Sequence, residues 1–373
     1  MKLTLRLCLI VLGIGTLGLS PFSGYADDLG TTGAQILKTP IGSRAMGMAG
    51  AFSAISDDAS ATHWNPAGLA LMKRQQINTF YLKGLSDIQM GFLGYALPFS
   101  PWAGVQGSAL GASVLFSQLG KIDVLRTNPD GSFKNSETLT AGSDMLLSLS
   151  YAAYFGDMNL SFPGLSEEHY LGVTARLLNS TLAQQYTAQA LSGDIGYMTV
   201  WRNVGLQWAF VMQNVGQKIK FKQEADPLPL TYRSGLSWHK AIPSLAADPL
   251  TLSLEGFRDR EKNVGLILGT ECWFEQRFAF RGGYRVEAKT NTWAAGLGTK
   301  FPLSSEPTSS SLLFDYAFVP IGSLGFTHHI SISLEFGSSL KDSSPKNYQP
   351  KTKTKKLNHT TPSPNKNPEY WIY

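Results

Sequence analysis

From Arg74 to Gly337 the chain is a succession of short segments in which apolar and polar residues alternate one by one, broken by Gly, Pro, Asn, Asp and Ser. Alternation with a period of two puts one set of side chains on each face of a strand, so most of the chain is committed to a sheet with one oily and one wet face. Fourteen strands are predicted, at 74–83, 88–97, 108–126, 142–156, 168–181, 192–201, 203–213, 230–239, 249–258, 262–274, 277–287, 291–301, 310–319 and 327–337. An even number lets an up-and-down sheet close with both chain ends on one side, which removes the exposed edges that an open sheet of this size would present.

The two faces separate cleanly. Leu250, Leu252 and Leu254 alternate with Thr251, Ser253 and Glu255, and Ile330, Ile332, Leu334 and Phe336 with Ser331, Ser333 and Glu335. Phe278, Phe280 and Tyr284 oppose Arg281, Arg285 and Glu287, while Tyr232, Leu236 and Trp238 oppose Arg233. Arg176, Glu271 and Asp315 are further candidates for the wet face. Alternation alone does not say which face is inside, because a soluble barrel buries its oily face. The number of long strands, the Tyr, Trp and Phe near strand ends and the 37 glycines favour lipid outside and a polar lumen. The expected fold class is therefore all-β: a transmembrane antiparallel barrel of about 14 strands.

The chain ends support export to an outer membrane. Lys2 and Arg6 precede an apolar run from Leu7 to Leu19, and Gly24-Tyr25-Ala26 supplies small residues for cleavage, so 1–26 reads as a secretory signal peptide. Removing it leaves roughly 350 residues, a size that closed barrels reach as one unit, and a single cysteine, Cys272. The organisation expected is signal peptide 1–26, an N-terminal segment 27–73, barrel 74–337 and a tail 338–373. Seven Lys and two acidic residues from Gly337 to Tyr373 give +5, equal to the net charge of the whole chain, so the basic character belongs to the tail. Its Ser, Pro, Lys, Thr and Asn offer too little apolar surface to fold, and a periplasmic position makes nucleic acid an unsuitable partner. With the N-terminus periplasmic, the long polar connections 127–141 and 214–229 face outside the cell.

No constellation nominates an enzyme, a cofactor or a metal. His63, His169, His239, His328, His329 and His359 are scattered, and the adjacent pair points to opposite faces of a strand. Asp57-Asp58 lacks the further oxygen ligands of a calcium loop. Gly47 and Gly50 follow no strand and precede no Lys-Ser or Lys-Thr, and Gly-x-Ser-x-Gly does not occur.

The stretch Gly42 to Leu71 is unlike the rest: rich in Gly and Ala, with Asp57-Asp58 and the turn-forming Asn65-Pro66-Ala67-Gly68. Ala45-Met46-Gly47-Met48-Ala49-Gly50-Ala51-Phe52, Asp57-Asp58-Ala59-Ser60-Ala61 and Trp64-Asn65-Pro66-Ala67-Gly68-Leu69 resemble the N-terminal segment of FadL-type (FadL/TodX) outer-membrane proteins, more closely their PorV/PorQ branch. Asp315-Tyr316-Ala317-Phe318-Val319-Pro320, Thr327-His328-His329-Ile330-Ser331 and Leu228-Pro229-Leu230 with Arg233 resemble the same branch. The resemblance covers about residues 35–337 and excludes signal and tail. It implies a fourteen-stranded barrel with an N-terminal hatch folded into the lumen. It further implies passive transport of hydrophobic compounds such as long-chain fatty acids, or else the role of a secretion component that binds cargo proteins at the surface. Hatch or gate residues would be Gly47, Gly50, Asp57, Asp58, Asn65, Pro66, Ala67 and Gly68. Arg176, Arg233, Arg281 and Arg285 would line the lumen, either meeting a ligand carboxylate or pairing with Glu255, Glu271 and Glu287.

Overall fold

The computed structural model describes residues 30–84, 87–99, 107–157, 167–242, 247–287, 291–303, 310–322 and 325–337. The signal peptide and the basic tail expected from the sequence lie outside these residues. Among the described residues eighteen strands run in chain order: β1 Gln75–Lys83, β2 Gln89–Phe99, β3 Ser108–Gln118, β4 Lys121–Thr127, β5 Phe133–Thr140, β6 Gly142–Asp157, β7 Glu168–Leu182, β8 Tyr186–Trp201, β9 Leu206–Gly216, β10 Ile219–Lys220, β11 Ala225–Asp226, β12 Thr231–Ile242, β13 Ala247–Asp259, β14 Val264–Phe274, β15 Phe278–Glu287, β16 Asn291–Pro302, β17 Ser311–Pro320 and β18 Phe326–Phe336. Fourteen of them form one closed barrel, in which β1 pairs with β18 and every neighbour is antiparallel; β4–β5 and β10–β11 are separate two-stranded ribbons. The end at which β1 begins and β18 finishes is termed proximal, the opposite end distal.

The oily face is outside. Leu252 and Leu254 are 45% and 40% exposed, whereas Thr251, Ser253 and Glu255 between and beside them are 2%, 5% and 0% exposed. Ile330 and Ile332 on β18 likewise face out, and Ser331 and Ser333 face in. Exposed rings gather toward both rims, Tyr81, Trp293 and Phe326 distally and Phe155, Phe278 and Phe301 proximally. A water-exposed wall of this composition would aggregate; in a bilayer it is the lipid-facing surface of a transmembrane barrel with interfacial girdles.

Three boundaries depart from the alternation. The segment expected as one strand at 108–126 leaves the barrel after Gln118 and continues as β4, paired with β5, in what the pattern had given as loop. The alternation slips phase at Gln118-Leu119-Gly120, and the expected strand ran through that mark of the exit. β8 starts at Tyr186, not 192, because beyond the lipid belt the alternation changes sign: Thr187 and Gln189 face out while Ala188 and Ala190 are buried. Its hairpin turns through the three residues Ala183, Gln184 and Gln185, the first two in the left-handed region at φ 48° and 56°. The 214–229 connection holds β10–β11 and folds Ile219 fully under cover.

Candidate functional site

The N-terminal segment lies inside the barrel. A helical turn at Ser43–Gly47 packs on β15–β18, and a second at Ala61–Trp64 with a 3-10 turn at Pro66–Leu71 packs on β2, β3 and β6–β8. Local chemistry explains the path. Gly42 and Gly50 take φ of 82° and 90°, where other residues are strained. Asn65 caps the Pro66–Leu71 turn by accepting the Ala67 N–H (3.1 Å) and donates Nδ2 to the Ser53 carbonyl (2.8 Å). Pro66 stands at the first position of that turn, where its missing N–H costs nothing. Ala45, Met48, Phe52, Ile55 and Trp64 form a small core of the segment's own, with the Trp64 Nε1 donating to the Ile41 carbonyl (3.1 Å).

An irregular segment buried in a barrel brings many backbone groups away from water, and each needs a partner. The wet face of the wall supplies them. Glu255 Oε2 accepts the Phe52 and Ser53 N–H groups at 3.0 and 2.8 Å, and Gln76 Oε1 accepts that of Ala59 at 2.7 Å. Ser331 Oγ accepts the Ser43 N–H at 2.9 Å. Gln213 Nε2 donates to the carbonyls of His63 (2.8 Å) and Trp64 (3.1 Å), and Arg176 Nη2 to that of His63 (3.2 Å). The lumen is polar here because it hydrogen-bonds protein, not because it lines a water channel.

Where the wall meets this segment it carries glycine. A β-carbon on Gly172 would stand 2.3 Å from the Ala67 nitrogen, and one on Gly283 2.3 Å from the Met48 carbonyl carbon. Gly47 and Gly296 approach so closely that a β-carbon on either would come within about 3 Å of the other's Cα. Gly68 likewise lies against the Ser56 carbonyl, where a β-carbon would be 1.7 Å away.

All eight hatch positions named from the sequence thus fall within one lumenal unit, and only Asp57, with its side chain 45% exposed, reaches solvent. Arg44 ties the unit to the wall. Its guanidinium forks onto Glu271 at 2.9 and 3.0 Å and meets Asp57 at 2.5 Å. Burial opposes the Arg44 charge, but Asp57 and Glu271 outweigh it and hold the group well above its usual range. Burial pushes the Asp58 carboxyl up against the pull of Arg44. Burial, with Arg176 and Arg233 nearby, holds His63 well below its usual value and therefore neutral.

The four arginines are not all brought to one place, though Arg233 and Arg285 share the Phe257 ring. Arg176 pairs with Asp194 (2.5 Å), Arg233 with Glu255, Arg281 with Glu271 (2.6 Å) and Asp315 (2.7 Å), and Arg285 with Glu287. Arg233 also lies 5.0 Å over the Trp64 ring, and Arg285 4.6 Å over Phe257. Glu255, Glu271 and Glu287 thus pair as the sequence alternative had them, but the bonds of Glu255 and Glu271 to the segment, those of Gln76 and Gln213, and the glycine contacts escaped the sequence reading. Alternation marks Glu255, Glu271, Gln76 and Gln213 as inward but not their partners; the glycine contacts show only once the segment is seated.

Distally the lumen changes character. Ile36, Leu37 and Ile41 are buried against inward-facing Phe80, Leu82, Met90, Phe92, Leu115, Leu146 and Leu178, with Ile219 and Leu228 closing over them. This part of the segment is clasped at the rim: Lys38 Nζ meets Glu261 (2.9 Å) and Asp259 (3.0 Å), Thr32 donates to Glu261, and the Gly33 N–H donates to the Pro227 carbonyl (3.0 Å).

The profile of an uncharacterised protein family (UPF0164) matches residues 26–125. No curated protein matches the chain. Among solved structures, it is similar to the toluene transporter TbuX of Ralstonia pickettii at 12% identity, covering 80% of this chain and 98% of that one with a TM-score of 0.48. A FadL homologue of Pseudomonas aeruginosa matches at 12% identity, 80% and 98% coverage and a TM-score of 0.46. The toluene transporter TodX of Pseudomonas putida matches at 10% identity, 74% and 92% coverage and a TM-score of 0.40.

Proposed function

We propose that this chain is an outer-membrane barrel that passes hydrophobic small molecules, of the long-chain fatty-acid kind, by passive movement through a lumen gated by its N-terminal segment. The observation that carries this reading is the apolar lining of the distal lumen, which would be a chamber once Ile36 and Leu37 leave it. A pore for polar solutes keeps a polar interior, and Phe80, Phe92, Met90 and Leu115 pointing inward would serve it badly. Such a chamber favours an oily solute through burial, at about 25 cal/mol per Å² of apolar surface. Its present occupants, Ile36 and Leu37, move aside in this account, and the glycine-seated unit from Gly47 to Gly68 shifts to let solute leave proximally. Of the four arginines, Arg285 has the most exposed side chain (21%) and is the best placed to meet a carboxylate head group. Both barrel ends of the chain are periplasmic in this orientation, as is the tail.

A second reading, a non-transporting component that binds secreted or surface proteins, is favoured by the β4–β5 ribbon. It stands beyond the distal rim with Leu125 and Phe133 exposed by 68% and 66%. Uptake of radiolabelled palmitate by cells with and without the protein separates the two. Passage of hydrophobic solutes predicts slower uptake on deletion; unchanged uptake together with lost surface proteins would establish the rival.

A further inference from the structure

The lipid-facing wall is not uniformly convex. Across β12–β15 it holds an apolar groove of about 510 Å³, rimmed by Leu236, Trp238, Leu252, Leu254, Leu268 and Tyr284. The cause lies in one position. Outward residues on β15 run Phe280, Gly282, Tyr284, so a side chain is missing between two rings. A β-carbon at Gly282 would touch only Thr270 Cγ2, at an ordinary 3.6 Å. The wall behind the groove is unbroken, since β14 and β15 pair continuously from Gly265↔Glu287 to Phe274↔Phe278. The groove is therefore a recess, not a portal.

At its proximal end the groove meets a cation. Trp238 and Lys240 share the outward face of β12, and the exposed Lys240 Nζ lies 5.8 Å over the Trp238 ring. An aromatic ring beneath an ammonium at strand-end level is the arrangement of a membrane interface, where the lysine stem lies along apolar surface and its charge stays wet.

We propose that this recess binds one anionic phospholipid from the leaflet at the proximal end, with an acyl chain in the groove and the phosphate on Lys240. The volume lies in the range of small-ligand sites, roughly 300–1,000 Å³. Thr270 apart, the outward side chains of the lining are apolar, and the Lys240 charge at the mouth complements a phosphodiester. The site is on the outside of the barrel and depends on its membrane placement, but not on what passes through the lumen.

The test is native mass spectrometry of delipidated, detergent-solubilised barrel titrated with palmitoyl-oleoyl phosphatidylglycerol. Wild type is expected to take up one lipid ahead of further weak additions. Gly282→Leu, which fills the recess, should lose that first step; Lys240→Gln should weaken it about fivefold, the value of one lysine beside anionic lipid; Lys83→Gln, at the distal rim, should leave it unchanged. Heat-modifiable migration confirms that each variant is a folded barrel. As a check without filling the groove, phosphatidylglycerol with dibrominated chains should quench wild type more than Trp238→Phe. Equal first-step binding by wild type and Gly282→Leu, or equal quenching with and without Trp238, would overturn the site. Pairing of two barrels through this face, relieved by Gly282→Leu, would also overturn it. Failure of the wild type to migrate as a heat-modifiable barrel would instead remove the membrane reading itself.

Discussion

Exchanging Gly283 for alanine tests how the lumenal segment is seated. The new β-carbon would lie 2.3 Å from the Met48 carbonyl carbon and 2.5 Å from the Ala49 nitrogen, where ordinary contact begins at 3.4 Å. About 1 Å of relative movement is needed, and both neighbours are backbone, so no rotamer change absorbs it. Overpacking of this kind costs about 1–3 kcal/mol. Gly172→Ala on the opposite wall meets the Ala67 nitrogen and the Pro66 carbonyl carbon at 2.3 and 2.4 Å, and the two exchanges together should cost about 2–6 kcal/mol. The barrel ladder keeps its hydrogen bonds, so the loss falls on docking of the segment. Amide hydrogen exchange over 43–71, on detergent-solubilised barrel, reads it as lost protection, and planar-bilayer conductance should rise in parallel. Gly282→Ala is the internal control, one residue away with its methyl group pointing to lipid. Equal protection in Gly283→Ala and Gly282→Ala would refute the idea that the wall glycines exist to seat this segment.

Arg176→Met leaves Asp194 buried and unpaired and strips a donor from the His63 carbonyl; urea unfolding from lipid vesicles should show a loss of about 3–5 kcal/mol, with Arg176→Met/Asp194→Leu recovering most of it. The distal clasp should release in acid. Burial alone would raise the Glu261 carboxyl, but hydrogen bonds from Lys38 and Thr32 outweigh it and bring the group from 4.5 down to about 2. A depressed folded value gives stability that is complete above the unfolded pKa and lost as pH falls through the folded one. Pepsin cleavage near Leu37 should therefore rise between pH 4.5 and about 2 in wild type, and rise less over that range in Glu261→Gln, where only the Lys38–Asp259 pair remains.

The barrel was legible because lipid outside and polar groups inside impose one rule on every spanning residue. Leu252 and Glu255 obey it, and so the strand count emerged from the sequence. The rule lapses where the strand leaves the bilayer: Thr187 and Ala188 on β8 exchange roles, and β4 alternates with no lipid to face. The lumenal segment was legible as an oddity through its Gly, Ala and Asn-Pro content, whereas its partners were not. Gln76, Gln213 and Glu255 bind its backbone across separations of 17 to 203 residues, and no local pattern encodes such pairings. The arginines illustrate the same limit, since each carries a positive charge in sequence and an assigned carboxylate only in the fold.

Passage through a lumen that the N-terminal segment controls can be tested by locking that segment in place. Ser43 and Ser331 hydrogen-bond through their hydroxyls at 2.9 Å, so Ser43→Cys/Ser331→Cys, in a Cys272→Ala background that removes the free thiol, joins segment and β18 with little rearrangement. Palmitate uptake by cells carrying this variant should match wild type when reduced, fall to the level of cells without the protein when oxidised, and return with dithiothreitol. Uptake that is indifferent to the disulfide would contradict a gated lumen.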